Sequence, residues 1–198
     1  WTVKTADGAV YQTCTVVVSG EDDPAEIKVT GIALNKDHFV IKLGGSAQLS
    51  ATATPDNATD KTLSYSSSDE TIAQIGTDGK ITTLKEGVAE IIVTASSGIK
   101  KNCLVIVCKD NQLPAGTSAE VSVKAGESLN LATVDTYCKN LTGLTYTSGD
   151  KSVLTMDGSK ATGVKEGKVT VTVTDADKNP VFTFTVNVTK GDTPTPSK

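Results

Sequence analysis

The sequence predicts an all-β chain of tandem two-layer sandwiches with Greek-key connections, preceded by a partial domain at the N-terminus. Valine and threonine dominate, aromatic residues are only 4% of 198, and apolar residues recur at every second position, which is the strand period. One closing hairpin occurs three times. Thr5-Ala6 with Cys14, Val16 and Val18 returns as Thr94-Ala95 with Cys103, Val105 and Val107, and again as Val173-Thr174 with Phe184, Val186 and Val188. Self-similarity at a near-constant period marks a tandem array in which each repeat is one folding domain. With three hairpins and only two whole repeats, the first residues read as the tail of a domain whose beginning is missing.

Residues 1–19 are expected to form that closing hairpin, its strands joined by the turn Ala6-Asp7-Gly8, because Asp-Gly between alternating apolar residues is a hairpin signal. The segment 20–26 is acidic, contains Pro24, and reads as a linker. The first whole domain spans 27–108. Val29, Ile32 and Leu34 open it, and Phe39, Ile41 and Leu43 form a second edge segment. Ala47, Leu49, Ala51 and Ala53 then alternate with polar residues until Pro55 breaks the strand. Leu63 and Tyr65 mark a further strand, Ile72 and Ile75 the next. Turns at Asp78-Gly79 and Glu86-Gly87 lead into Ile81 and into Ile91-Val93, and Cys103, Val105 and Val107 close the unit. Turn signals at this density point to a sandwich. Residues 109–116 form a second linker with Pro114. The second whole domain spans 117–189 and repeats the plan: Tyr146 matches Tyr65, Asp150 matches Asp69, and Lys165-Glu166-Gly167 matches Lys85-Glu86-Gly87. Residues 190–198 read as a further linker or a disordered tail.

Four cysteines need separate readings. Cys14 and Cys103 share one repeat position among core-facing valines, where a free thiol packs as a small hydrophobe. Cys108 ends a strand at the linker, and Cys138 lies in a loop at the end of the next sandwich where that linker enters. A Cys108–Cys138 disulfide would staple the domains if their Cα atoms come within about 7 Å; the alternative is two unrelated thiols.

The charge pattern argues against nucleic acid. Net charge is −4, every basic residue is lysine, and the lysines are scattered among acids, so the guanidinium suited to bidentate phosphate and guanine contacts is absent. No stretch approaches the roughly 20 apolar residues of a membrane helix. His38, beside Phe39 on an edge segment, is the only histidine and reads as partly exposed; a catalytic triad or a histidine metal cluster has nothing else to draw on. Asp56, Asp60, Asp69, Glu70 and the linker acids Glu21, Asp22 and Asp23 lack calcium-loop spacing and read as solvated turn acids. Asp69 and Asp150 suit local backbone N–H groups in turns. Ser66-Ser67-Ser68 has neither a nearby base nor the frame of a nucleophile elbow. No catalytic residue, metal site or cofactor is therefore expected. A sugar platform would want exposed rings, and Tyr11 and Tyr137 are the candidates, with Tyr65 and Tyr146 assigned to the core.

Four stretches of 27–108 resemble one known family. They are Val29-Thr30-Gly31-Ile32 with Leu34-Asn35-Lys36, Leu49-Ser50-Ala51-Thr52 followed by Pro55, Asn57, Ala58 and Thr59, Tyr65-Ser66-Ser67-Ser68-Asp69 with Ile72-Ala73-Gln74-Ile75, and Gly79-Lys80-Ile81-Thr82 with Leu84-Lys85, Gly87 and Ala89. The chain is similar here to the bacterial immunoglobulin-like group 2 (BIG2) domains. The second domain looks like a diverged copy, without the opener or the proline turn. The resemblance implies immunoglobulin-like sandwiches and no fixed chemistry. It implies a non-enzymatic structural or adhesive module at a bacterial surface or in a secreted protein, acting as spacer or partner-binding rod. Two other settings stay open: decoration of a phage virion, and a carbohydrate-binding accessory of a larger enzyme. The expected partner is a protein or glycan at a cell surface or within a virion, with an extracellular, cell-surface or virion location.

Overall fold

The computed structural model describes residues 2–4, 7, 10–13, 26–110, 112–135 and 138–191. Cys14, Val16 and Val18 of the first hairpin copy, the acids of 21–23, Tyr137 and residues 192–198 lie outside the described residues. So does the remainder of the first linker apart from Glu26.

The first two strands, β1 (Thr2–Lys4) and β2 (Val10–Thr13), pair antiparallel, with Thr2 opposite Thr13. Nine strands follow in 31–108: β3 (Gly31–Leu34), β4 (His38–Lys42), β5 (Ser46–Gln48), β6 (Ala51–Thr54), β7 (Leu63–Ser67), β8 (Ala73–Ile75), β9 (Lys80–Thr83), β10 (Gly87–Ala95) and β11 (Lys100–Cys108). The second set is β12 (Ser118–Lys124), β13 (Ser128–Asn130), helix α1 (Leu131–Val134), a 3-10 turn at Cys138–Asn140, β14 (Thr145–Ser148), β15 (Leu154–Asp157), β16 (Lys160–Gly163), β17 (Gly167–Thr174) and β18 (Pro180–Thr189).

Each set builds the same layers. The main sheet has order β4-β11-β10-β7 in the first unit and β12-β18-β17-β14 in the second. Its edge strand runs parallel to the closing strand (β4 with β11, β12 with β18), while the other pairs are antiparallel. A three-stranded sheet forms the opposing layer, β5-β9-β8 or β13-β16-β15. The fold is therefore all-β apart from short helical turns, and its tandem layers are those of immunoglobulin-like sandwiches.

Strand alternation seats the first core. Ala89, Ile91 and Val93 on β10 and Cys103, Val105 and Val107 on β11 point inward, against Leu49, Ala73 and Ile81. Gly79 turns β8 into β9 with φ +79, a region open to glycine at no steric cost, and Asp78 Oδ1 accepts from the Lys80 amide at 3.0 Å. Asp69 and Asp150 close matching turns. Each accepts from the amide and hydroxyl two residues on, of Thr71 and Ser152, and these bonds hold both carboxyls below their ordinary range.

Two details differ from the sequence expectation. The single strand expected across Ala47–Ala53 is two, with β5 pairing β9 and β6 pairing β3 in a separate two-stranded sheet. Leu49 donates to the Gly79 carbonyl at 3.0 Å, and Ser50 exchanges bonds with Asn35, so the chain changes layer there without losing its period of two. In the second unit the place of β6 is taken by α1. Asn130 caps it, its side chain accepting from the Ala132 amide at 3.1 Å, and Leu131 is buried. One helical turn is too short to show a helical period.

The larger difference concerns the cores. The sequence predicts one folding domain per repeat; the inward residues of β10 and β11 form a cluster of their own, while Leu104, Ile106 and Cys108 lie in an apolar cluster with Leu131, Val181, Phe182 and the rest of the second core. These three alternate with the inward residues of β11 and so leave their own sandwich on its outer face. Val40 on β4 and Val88 on β10 flank Ile106 in register and pack on the same cluster. The two units lie face against end along an apolar seam.

Candidate functional site: the cleft between the two units

Beside this seam is an open cleft of about 480 Å³, bordered by residues 32–38 and Lys101 of the first unit and by Thr142, Gly143 and 175–177 of the second. Three consecutive residues, Lys36-Asp37-His38, at the start of β4 reach across it. Lys36 Nζ meets Asp177 Oδ2 at 2.7 Å on the exposed rim. Deeper in, Asp37 Oδ2 accepts from the Thr142 amide at 2.8 Å and its hydroxyl at 2.7 Å. The other oxygen, Oδ1, lies 2.6 Å from His38 Nδ1. His38 Nε2 faces Asp175 Oδ2 at 3.8 Å.

Both partner loops are held from behind. Asp175, itself buried, accepts from the Asn179 amide at 2.7 Å and its side-chain nitrogen at 3.0 Å, closing the β17–β18 connection. The 3-10 turn at Cys138–Asn140 delivers Thr142, with the Leu141 amide donating to the Cys138 carbonyl. Burial works against the charge on Asp37, but the Thr142 hydroxyl, the His38 ring and the Thr142 amide outweigh it and hold the carboxyl below its ordinary value of 3.8. Asp177 is likewise held down by Lys36.

The arrangement is not a hydrolytic triad. A hydrolytic triad needs a hydroxyl or thiol facing the histidine nitrogen remote from the acid. Here that nitrogen faces a second carboxylate, and the Thr142 hydroxyl is bound to Asp37 instead.

His38 is buried, with 9% of its surface exposed, and not the partly exposed edge residue that the sequence suggests. The second unit covers it, which no local pattern reports. Cys103, Cys108 and Cys138 are buried free thiols. Burial pushes Cys103 and Cys138 up to about 12, with Asp37 adding in the first case and Asp135 in the second, while a Tyr146 hydrogen bond works the other way on Cys138. Cys108 is raised by burial and by Glu86. Cys108 and Cys138 share the seam cluster but differ in neighbouring charges. A bridge between them is a proposal for the oxidised protein: non-reducing peptide mapping is expected to recover a linked Cys108–Cys138 peptide, and recovering both residues alkylated after unfolding removes it.

Of the two candidate sugar-contact rings, Tyr11 lies on β2 and Tyr137 falls outside the described residues. Tyr65 and Tyr146 are half-buried against the two cores. No helix among the described residues is long and apolar enough to cross a membrane.

Of the residues that meet in the cleft, sequence reading weighed only His38 as a chemical candidate, and Lys36 entered only as part of the family-like opener. One signal was available. Cys103–Cys108 is apolar at six successive positions, whereas Phe182–Thr189 alternates, and a continuous apolar run marks a strand covered on both faces.

Over residues 28–105 the family comparison agrees with this fold. The profile of the bacterial Ig-like domain (group 2) matches residues 28–105. An alpha-L-arabinofuranosidase of Bifidobacterium longum subsp. longum is 35% identical over 141 residues, which is 68% of this chain and 13% of that protein. A lacto-N-biosidase of Bifidobacterium bifidum is 30% identical over 100 residues, 50% of this chain and 9% of that protein. The chain thus spans only a small part of the curated relatives it matches. Among solved structures, domains 5–6 of the S-layer protein SbsC align over 83% of this chain and 99% of that one, at 17% identity and a TM-score of 0.36. Residues 28–105 of this chain are a bacterial Ig-like domain of group 2.

Proposed function

We propose that this chain is a non-catalytic structural module of a larger extracellular or cell-surface protein, a spacer that sets the position of whatever it is joined to. The observation that carries the reading is the use made of the cleft. Lys36, Asp37 and His38 are committed to Asp177, Thr142 and Asp175, so the polar groups of the deepest junction tie one sandwich to the other. Two-layer sheets with long ladders, such as the eight paired positions of β10 with β11, suit a load-bearing element.

A second reading, a carbohydrate-binding accessory of a larger enzyme, is favoured by the names of the relatives. Both proteins are glycosidases by name, and the matched region is a small fraction of each. The test uses the whole chain. Hydrolysis of p-nitrophenyl α-L-arabinofuranoside above blank would overturn the non-catalytic reading. On a glycan microarray we expect no saturable signal; saturable binding that is lost in a Tyr11→Ala, Tyr137→Ala double variant would replace the spacer with the glycan-binding accessory.

A further inference from the structure

We propose that the first unit carries a docking face that completes the second unit, and that the second unit offers no such face in turn. The described residues then contain one fused joint, between 31–108 and 118–189. Any neighbour following residue 189 has to be joined differently.

The face is the outside of the β4-β11-β10 sheet. Leu104, Ile106 and Cys108 point away from the first core, yet only 7%, 1% and 4% of their surface is exposed. Ile106 is central, opposite Val40 on one side and Val88 on the other. An apolar centre flanked on one side by polar bonds (Lys36–Asp177, Asp37–Thr142) has the makings of a specific interface.

The second unit needs this cover. In the first unit the β3–β6 layer and Val29 close the end of the sandwich over Ala53, Ala58 and Ala95. Among the described residues the second unit has no counterpart of that layer: its first strand is β12, and α1 replaces β6. Leu113, Leu141 and Leu144 instead pack on the cluster that Leu104 and Ile106 join.

Register shows that the face is not repeated. Ile106 lies between Val40 and Val88; its counterpart Asn187 lies between Ser122 and Lys168. Thr185 and Thr189 stand where Leu104 and Cys108 are. Glu120, opposite Thr185, accepts from Asn187 at 2.7 Å and from Lys168 at 3.0 Å on an exposed surface. A face of threonine, asparagine and an exposed ion pair gains little from being covered.

Hydrogen exchange on the whole chain tests this, because protection reports each unit separately. Ile106→Ser removes apolar surface from the seam and leaves the inward residues of β11 intact. It is expected to speed exchange at least tenfold in 169–173 and 182–188, with 89–93 changing less than threefold. Asn187→Ser, the matched substitution on the polar face, is expected to change neither. Unaltered protection of the second unit in Ile106→Ser overturns the proposal, as does an equal loss in both units. If Ile106→Ser is insoluble, the rim variant Lys36→Ala with Asp37→Ala decides: faster exchange at 141–144 and 175–182 supports docking, and unchanged exchange there overturns it.

Discussion

Phe184→Ala is expected to lower the stability of the second unit by about 3–5 kcal/mol, the range for deleting a fully buried phenylalanine ring. Phe184 has no exposed surface and sits on β18 between Val171 on β17 and Ala119 on β12. Its ring centre is 4.9 Å from that of Phe182, the planes inclined at 54°, so the deletion loses an aromatic contact as well as transfer free energy. The closely packed strands on either side can collapse only partly into the space. The matching residue of the first unit is Cys103, opposite Ile91 as Phe184 is opposite Val171. Cys103→Ala removes far less and is expected to cost about 1 kcal/mol. Urea denaturation followed by exchange protection measures both, in 169–188 for Phe184→Ala and in 89–107 for Cys103→Ala. A Phe184→Ala midpoint equal to that of the parent would mean that the second core is not built around this ring.

Gly79→Val is expected to cost about 3 kcal/mol or more, by straining the turn and parting the layer it closes. The backbone at Gly79 has φ +79, where a β-branched residue is a genuine outlier, and an added Cβ would lie 2.3 Å from the Leu49 carbonyl oxygen. That oxygen belongs to the segment where the chain changes layer, and the Leu49 amide is itself bonded to the Gly79 carbonyl. Relief of the clash therefore pulls Leu49, 1% exposed, from the core. Gly44 is the internal control. It has nearly the same φ, +80, but a Cβ there meets nothing within 4 Å, so Gly44→Ala is expected to cost only about 1 kcal/mol of backbone preference. Thermal unfolding of Gly79→Ala beside Gly44→Ala, the same side chain at nearly the same φ, separates the two contributions. Equal losses in Gly79→Ala and Gly44→Ala would show that the close approach at Leu49 contributes nothing.

Much of the architecture was legible because strands write their own period. Ala89, Ile91 and Val93, or Val169, Val171 and Val173, alternate with polar residues, and one face of each strand is buried as that pattern requires. The turns were legible for an equally local reason, since Asp-Gly at 78–79 and the Asp69 and Asp150 turns depend on the conformational needs of single residues. The similarity of 28–105 to a known family came from the same short-range features.

The junction was not legible in that way. Thr142 and Asp175 are ordinary loop residues until folding brings them, across more than a hundred positions, to Asp37 and His38, and no spacing rule spans that gap. In strands such as β10 and β17, local alternation by itself determined which side faces its own core. Only the tertiary structure decided that Leu104 and Ile106, on the outer side, are also buried, because the surface that removes them from water belongs to another part of the chain.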